Sequence, residues 1–328
     1  MESEHVKPVD TPCKSGPPLS KKDAVKYERG EDHPWPFRSL LGSIMYACIT
    51  RCDIQYAVSV LAKLCSCPDV KAWNAARRVL RFLRATSTRT LKMGGYNPIL
   101  FAWADADWCG DPDEYRSTSG IIIFLSWGPL VFSSRLQRAT ALSITESEFR
   151  ASALAVLGED LPAEERAQLQ DLENRQKVYS KTLSACQSIC SLLGLRTMLK
   201  ELGFPQPPTY LFTDSRGNLM SIKNPITTKL RHVNMRWHKI RQCVDNGDIV
   251  VCDVRTNNML ADLLTKRHKA VDHERLSALC MGHKEIEGLP ADLQKLLATK
   301  VPLPTKGGLD DLASGRCPSC GASLEKHA

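Results

Sequence analysis

What the chain lacks narrows it first. No run of about 18 consecutive apolar residues occurs in its 328 residues, so a membrane-spanning helix is not expected. The opening "MESEHVKPVDTPCKSGPPLSKKD" has no apolar core of the kind a secretory signal carries. No strong charge of either sign is present. The 44 Lys and Arg against 36 Asp and Glu leave a net +8, which permits a nucleic-acid partner without requiring one. No internal repeat occurs. The thirteen cysteines are an odd number, and Cys48, Cys65, Cys190 and Cys252 sit inside apolar patterns. That usage fits reduced thiols in an intracellular protein, cytoplasmic or nuclear, rather than a disulfide framework.

What is there supports one large domain or two modest ones, with 43% of residues hydrophobic. Residues 1–34 carry Pro, Gly, Ser and charge without periodicity and read as a flexible lead-in. "FRSLLGSIMYAC" and "DIQYAVSVLAKL" follow with apolar residues at helical spacing. A third helix, "VKAWNAARRVLRFLRAT", puts Trp73, Ala76, Val79 and Phe82 on one half of its wheel. Lys71, Arg77, Arg78, Arg81 and Arg84 take the other half, which is either a solvated face or one that tracks phosphates. From about residue 98 the pattern becomes strand-rich. Strands are expected at 99–105, 120–126, 129–134, 209–213 and 248–254. Helices are expected from near Thr145, at 216–223 and 234–245, and from near Leu260. Short turns make the first three strands antiparallel, and helical crossovers make the last two parallel, so the fold class is α/β with a five-stranded mixed sheet. Residues 158–181 form a polar, charge-dense insert, and residues 269–328 read as a C-terminal tail.

The chemistry lies in the carboxylates. In "LFAWADADWCGDPDEYRSTSG", both faces of the strand are apolar, so it should be central and covered on both sides. It runs into Asp105 and Asp107, and a carboxylate there needs a metal ion, an arginine or water. The strand at 209–213 likewise leads into Asp214, and "RTNNMLADLL" puts Asp262 in the first turn of a helix. Ligands bind outside the carboxyl ends of parallel strands, so three aspartates converge on one edge if the strands are neighbours. In "ALSITESEF", Glu146 and Glu148 lie about 200° apart on a helix. Glu148 can lean to the crevice, while Glu146 supports the helix N-terminus. Several carboxylates in one crevice repel unless a divalent cation intervenes, and an oxygen-only donor set suits Mg²⁺ or Mn²⁺. Each aspartate alone is as well explained as a cap or turn residue; the set makes the case.

At these residues the sequence resembles the C-terminal part of the Pol polyprotein of copia-type LTR retrotransposons. The motifs are "FRSLLGSIMYACITRCDIQYAVSVL", "WNAARRVLRFLRAT", "ADADWCGDPDEYRSTSG", "ALSITESEF", "RHVNMRWHKIRQ" and "LADLLTK", spread over residues 35–268. The resemblance implies that residues 35–95 match the end of a reverse transcriptase. Residues 98–268 then match its ribonuclease H domain, an endonuclease that cuts the RNA strand of RNA/DNA hybrids with two Mg²⁺ or Mn²⁺ ions. It places the catalytic, metal-binding tetrad on Asp105, Glu148, Asp214 and Asp262, with Asp107 as the alternative at the first site. Asp105, Glu148 and Asp214 would hold one ion, and Asp105 and Asp262 would share the other. Hybrid contacts would come from Arg116, Ser117, Thr118, Arg135, Gln137 and Arg138, with Arg77, Arg81 and Arg84 on the basic helix; turn and strand-end solvation explains the first six equally well. No "Y-x-D-D" polymerase motif occurs, so polymerase activity is not expected, and the chain reads as part of a polyprotein whose remaining domains would be its partners.

Two features depart from the family pattern. Cys52 replaces a usual proline, and the 158–181 insert splits the domain. The loop before Asp262 lacks the histidine that cellular ribonucleases H often have there, as copia-type relatives generally do. The terminal "CPSCG" offers Cys317 and Cys320, two of the four ligands that structural zinc takes, so a metal-free tail is the expectation. The competing reading of the whole is an inactive remnant that binds nucleic acid through its arginine face or has no selected function.

Overall fold

Leu100–Asp107 (β1) is the middle strand of a five-stranded sheet in the computed structural model, which describes residues 7–14, 16, 18–22, 36–137, 141, 143–158, 191–223 and 234–300. Thr118–Leu125 (β2) and Gly128–Leu136 (β3) continue it antiparallel on one side. Thr209–Thr213 (β4) and Ile249–Asp253 (β5) add parallel on the other, giving the order β3-β2-β1-β4-β5. This is the five-stranded mixed α/β arrangement that the sequence predicts. β1 runs two residues further than expected. Asp107 lies inside the strand rather than opening the turn, because it pairs with Thr118 and its carboxylate accepts the Thr118 amide.

Both faces of β1 are covered, as its double apolar pattern requires. Leu100, Ala102, Ala104 and Ala106 meet Ile144–Leu157 (α4), Leu192–Glu201 (α5), Arg216–Lys223 (α6) and Asn234–Asp245 (α7) in one core. Small residues Ala151, Ala153 and Ala155, all buried, let α4 lie close against the strands. Ser143 caps α4 by accepting the Glu146 amide at 3.2 Å, and Gly158 ends it in the left-handed conformation (φ 75°).

The opposite face presents Phe101, Trp103, Phe124 and Phe212, with the Trp103 and Phe212 rings stacked 4.8 Å apart. Its cover is the turn around Met259–Leu264, the one-turn helix Asp262–Thr265 (α8), and the helices Ala270–Cys280 (α9) and Ala291–Ala298 (α10). Residues 269–300 therefore differ from the expected tail. Leu276, Cys280, Leu293 and Leu297 bury the apolar face that β1 would otherwise leave in water.

Ahead of the sheet, Phe37–Ala47 (α1), a 3₁₀ turn at Cys52–Ile54, Gln55–Lys63 (α2) and Val70–Ala85 (α3) enclose a third core around Phe37, Leu41, Leu61, Val79 and Phe82. Asp69 caps α3 through a 2.7 Å bond from the Ala72 amide. The helical unit is joined to the rest. Cys52 is buried in the second core, Lys63 pairs with Asp111 at 2.9 Å, and the His273 ring nitrogen lies 3.0 Å from the Asp53 carbonyl. Part of the expected flexible lead-in is also held. Arg78 and Arg81 on α3 donate to the carbonyls of Thr11 and Lys7, and Val9, Cys13 and Leu19 pack against the third core. Among the described residues no helix is long and apolar enough to cross a membrane. The insert after Gly158, together with Arg138, Cys317 and Cys320, lies outside the described residues.

Candidate active site

The parallel register brings the acids together. Trp103 pairs with Phe212 across β1 and β4, so Asp105 and Asp214, each two residues further on, arrive level at the same sheet edge. Glu148 comes down on them from α4, five residues past the Ser143 cap. Oxygens of Asp105, Glu148 and Asp214 all lie within 4.8 Å of one another. Asp105 is 1% exposed and Glu148 5%, and Oε2 of Glu148 is buried without a hydrogen-bond partner. Asn218 on α6 keeps the two crossovers in place: its amide nitrogen donates to Ser152 Oγ at 2.8 Å and approaches the Glu148 carbonyl at 3.4 Å.

Asp262 enters from the other face of β1, on the side of Trp103. Thr265 Oγ1 donates to Asp105 Oδ2, which ties α8 to the strand end. Lys266 bridges the two acids, with Nζ 2.7 Å from Asp262 Oδ1 and 3.6 Å from Asp105 Oδ2. The His268 ring nitrogen lies 2.8 Å from the Asp262 carbonyl and steadies the same turn.

The electrostatics follow from burial. Desolvation first, then the neighbouring carboxylates of Asp105 and Asp214, push Glu148 up to about 9. Asp105 is raised to about 6 by burial and by Asp262, although Lys266 and the Thr265 hydroxyl pull the other way. Asp214 is raised by the same two causes, burial and then the charge of Asp105. Burial works against the Lys266 ammonium, but Asp105, Asp262 and Asp214 outweigh it and hold its pKa above the ordinary lysine value. Such a cage is a strained place for four carboxylates and a favourable one for a divalent cation.

Other expected residues fall into three groups. Glu146 is in the first turn of α4, as the sequence predicts, and accepts from Arg150 at 2.6 Å. Ser117, Thr118 and Gln137 are buried and engaged within the protein. Ser117 Oγ accepts the Cys109 amide, and Gln137 donates to Ser119 Oγ and the Ser147 carbonyl, both at 2.9 Å. Gln137 thereby fastens the end of β3 to β2 and α4, while Ser117 holds the turn at Cys109. Arg135, Arg77 and Arg84 are exposed, Arg81 is half-buried against Lys7, and Arg116 pairs with Glu114. Sequence reasoning passed over Lys266 and Thr265. The signal was present in "ADLLTK", where Asp262 and Lys266 stand four apart on one helical face.

The sheet order and the acid cluster at its edge define a five-stranded mixed α/β domain with a carboxylate cage at the ends of its parallel strands. By sequence, the chain is a homologue of the retrovirus-related Pol polyproteins of copia-type transposons, as the motifs predict. The Pol polyprotein of transposon TNT 1-94 from Nicotiana tabacum is 32% identical over 267 residues, 80% of this chain and 18% of that protein. That of transposon RE2 from Arabidopsis thaliana is 32% identical over 274 residues, 83% of this chain and 16% of that protein. The chain thus spans less than a fifth of the length of these relatives. No protein-family model matches it. Among solved structures, LC11-RNase H1, isolated from compost by a metagenomic approach, aligns with 51% of this chain and 93% of its own, at 14% identity and a TM-score of 0.32, too loose a superposition to bear on function.

Proposed function

We propose that the chain is a metal-dependent endonuclease that cuts the RNA strand of RNA/DNA hybrids, as the ribonuclease H part of a copia-type Pol polyprotein. One observation carries this reading. Three carboxylates from three separate elements converge within 4.8 Å at the carboxyl ends of β1 and β4, and one buried oxygen among them, Glu148 Oε2, has no partner. A core does not collect such groups for stability, since each costs desolvation without return.

The residues fit Mg²⁺ or Mn²⁺. The donors are all oxygen, and one oxygen of Glu148 is buried without a hydrogen-bond partner. Asp105, Glu148 and Asp214 would hold one ion, and Asp105 with Asp262 would share a second. When bound, such ions activate a water and stabilise the leaving oxygen of a phosphodiester. The chain's own residues supply the rest. Thr265 holds Asp105 by its hydroxyl, Asn218 locks α6 against α4 beside Glu148, and the aromatic layer beneath Asp105 keeps water from its strand-side face. The exposed Arg135, with Arg77 and Arg84 on α3, offers positive charge to the sugar-phosphate backbone of a duplex.

The test is direct. The purified chain with Mg²⁺ or Mn²⁺ is expected to cleave the RNA of an end-labelled hybrid, leaving the DNA strand and an RNA/RNA duplex intact. Asp214→Asn is expected to abolish cleavage while preserving hybrid binding. Equal cutting by both proteins would overturn the assignment.

A further inference from the structure

The four acids are not equally provided for. Lys266 closes the single turn of α8 four residues after Asp262, and its side chain turns inward to bridge Asp262 Oδ1 at 2.7 Å and Asp105 Oδ2 at 3.6 Å. The same Asp105 oxygen accepts from Thr265 Oγ1, so it is drawn toward α8 and away from α4. On the other side, Glu148 Oε2 is buried and has no hydrogen-bond partner. One half of the cage therefore already contains a cation supplied by the chain. The other half holds the partnerless Glu148 oxygen.

We propose that Lys266 is a built-in counter-ion for the Asp105–Asp262 pair, which a divalent cation shared by those two acids must displace. An ion held by Asp105, Glu148 and Asp214 would meet the ammonium at Asp105, the longer of its two contacts at 3.6 Å, and not at the Glu148 end. This rests on the metal-dependent reading above and adds an order of events to it. The Glu148 side would be open to an ion from the outset, whereas Asp105 and Asp262 would be free to share one only as the Lys266 ammonium leaves. Departure is feasible because the Lys266 side chain is 40% exposed on a flexible four-carbon stem, so its head can swing to water without moving α8. An ammonium and a doubly charged ion cannot share the same few ångströms, since they repel in a site of low dielectric. The arrangement also gives the metal-free chain a way to keep Asp105 and Asp262 close, so the site does not have to reassemble when metal arrives.

Calorimetric titration of the metal-free full chain with Mg²⁺, repeated on Lys266→Met and Lys266→Gln, reads the proposal without reference to activity. The wild-type chain is expected to show one stronger and one weaker step. Either variant should tighten the weaker step by about tenfold or more, leaving the stronger one within about twofold, the scale on which neighbouring groups tune metal sites. Both variants should also melt at a lower temperature than the wild type when metal-free at pH 8, with the deficit closing in Mg²⁺. Lys266→Arg, which keeps the charge, should retain the weak second step. A second step of unchanged affinity in both neutral variants overturns the role of Lys266 and leaves the nuclease reading standing. The absence of any Mg²⁺ uptake by wild type and variants alike overturns the metal-dependent reading itself. Preparing both the methionine and the glutamine variant guards against one of them failing to fold.

Discussion

Gly120 lies directly across the β1–β2 ladder from Asp105, and the turn carrying Asp262 fills the space where a side chain would stand. A Cβ at this position would come 2.6 Å from Thr265 Cγ2 and 2.8 Å from the Ala261 carbonyl oxygen. The missing side chain is what lets α8 approach close enough for Thr265 to reach the Asp105 carboxylate. Gly120→Ala is therefore expected to cost about 1–3 kcal/mol of stability as an overpacked contact. Its hybrid-cleaving activity should fall further than that loss of folded protein explains, because Asp262 and Thr265 are pushed off Asp105. Urea denaturation and cleavage rates measured on the same preparation separate the two effects. A variant as stable and as active as the parent would show that α8 does not depend on this contact.

The raised carboxylates make the metal-free protein sensitive to alkali. Asp105 moves from 3.8 to about 6 and Glu148 from 4.5 to about 9 on folding, so the folded state binds protons more tightly than the unfolded one. Stability from these groups is complete below the unfolded values and declines as pH rises through 6 toward 9. The melting temperature in EDTA is expected to fall between pH 5 and pH 9. Glu148→Gln should flatten that dependence and raise the metal-free melting temperature at pH 8, although it removes cleavage. Excess Mg²⁺ should restore alkaline stability to the parent and not to the variant. A melting temperature that rises with pH in EDTA would mean the acids are not the groups that titrate.

Much of this site could be read from the sequence because strand patterns carry their own register. The alternation in "LFAWADAD" marked a strand covered on both faces, and "TYLFTD" repeated it, so Asp105 and Asp214 were bound to emerge together once the two strands became parallel neighbours. Glu148 could be separated from Glu146 by helical angle alone. Less visible were contacts made across large sequence separations. Nothing in "RSTSG" indicates that Ser117 and Thr118 turn inward, since a short polar run looks the same whether it meets solvent or caps a buried turn. The helices after residue 269 escaped notice because Gly and Pro between 282 and 290 interrupt their periodicity, and their apolar faces are too short to stand out from a tail. Lys266 was hidden for another reason. Its role depends on Asp105, which lies 161 positions earlier in the chain.

Asp53 ties the start of α2 to the end of α3 and the segment after it through buried charge. Its side chain is fully buried and receives Arg51 at 2.8 Å and Arg89 at 3.0 Å, while both guanidinium groups lie over the Phe82 ring. Removing the shared acceptor strands two cations in a core, so Asp53→Ala is expected to cost about 3–5 kcal/mol. Arg89→Ala should cost less, because Arg51 still satisfies the carboxylate and Arg89 is partly exposed. Chemical denaturation of the two variants tests the order. Equal losses would mean that the network is held by packing around Phe82 and not by the shared acid.

The last prediction concerns where the folded unit stops. The motif resemblance ends near residue 268, yet Leu276, Cys280, Met281, Leu289, Leu293 and Leu297 are all buried against the Phe101–Trp103 face of the sheet. Full burial of an aliphatic side chain contributes about 1.5–3 kcal/mol, so these residues together contribute on the order of 10 kcal/mol. That is comparable to the whole stability of a typical domain, about 5–15 kcal/mol. A chain ended after residue 268 leaves Trp103, Phe124 and Phe212 without their cover. It is expected to be insoluble, or to bind a hydrophobic dye and melt without cooperativity, and to lose hybrid cleavage although all four acids are retained. A chain ended after residue 300 keeps α9 and α10 and is expected to melt cooperatively and to cleave. Cooperative melting of the shorter chain would place the stabilising cover elsewhere in the molecule and make α9 and α10 dispensable to the site.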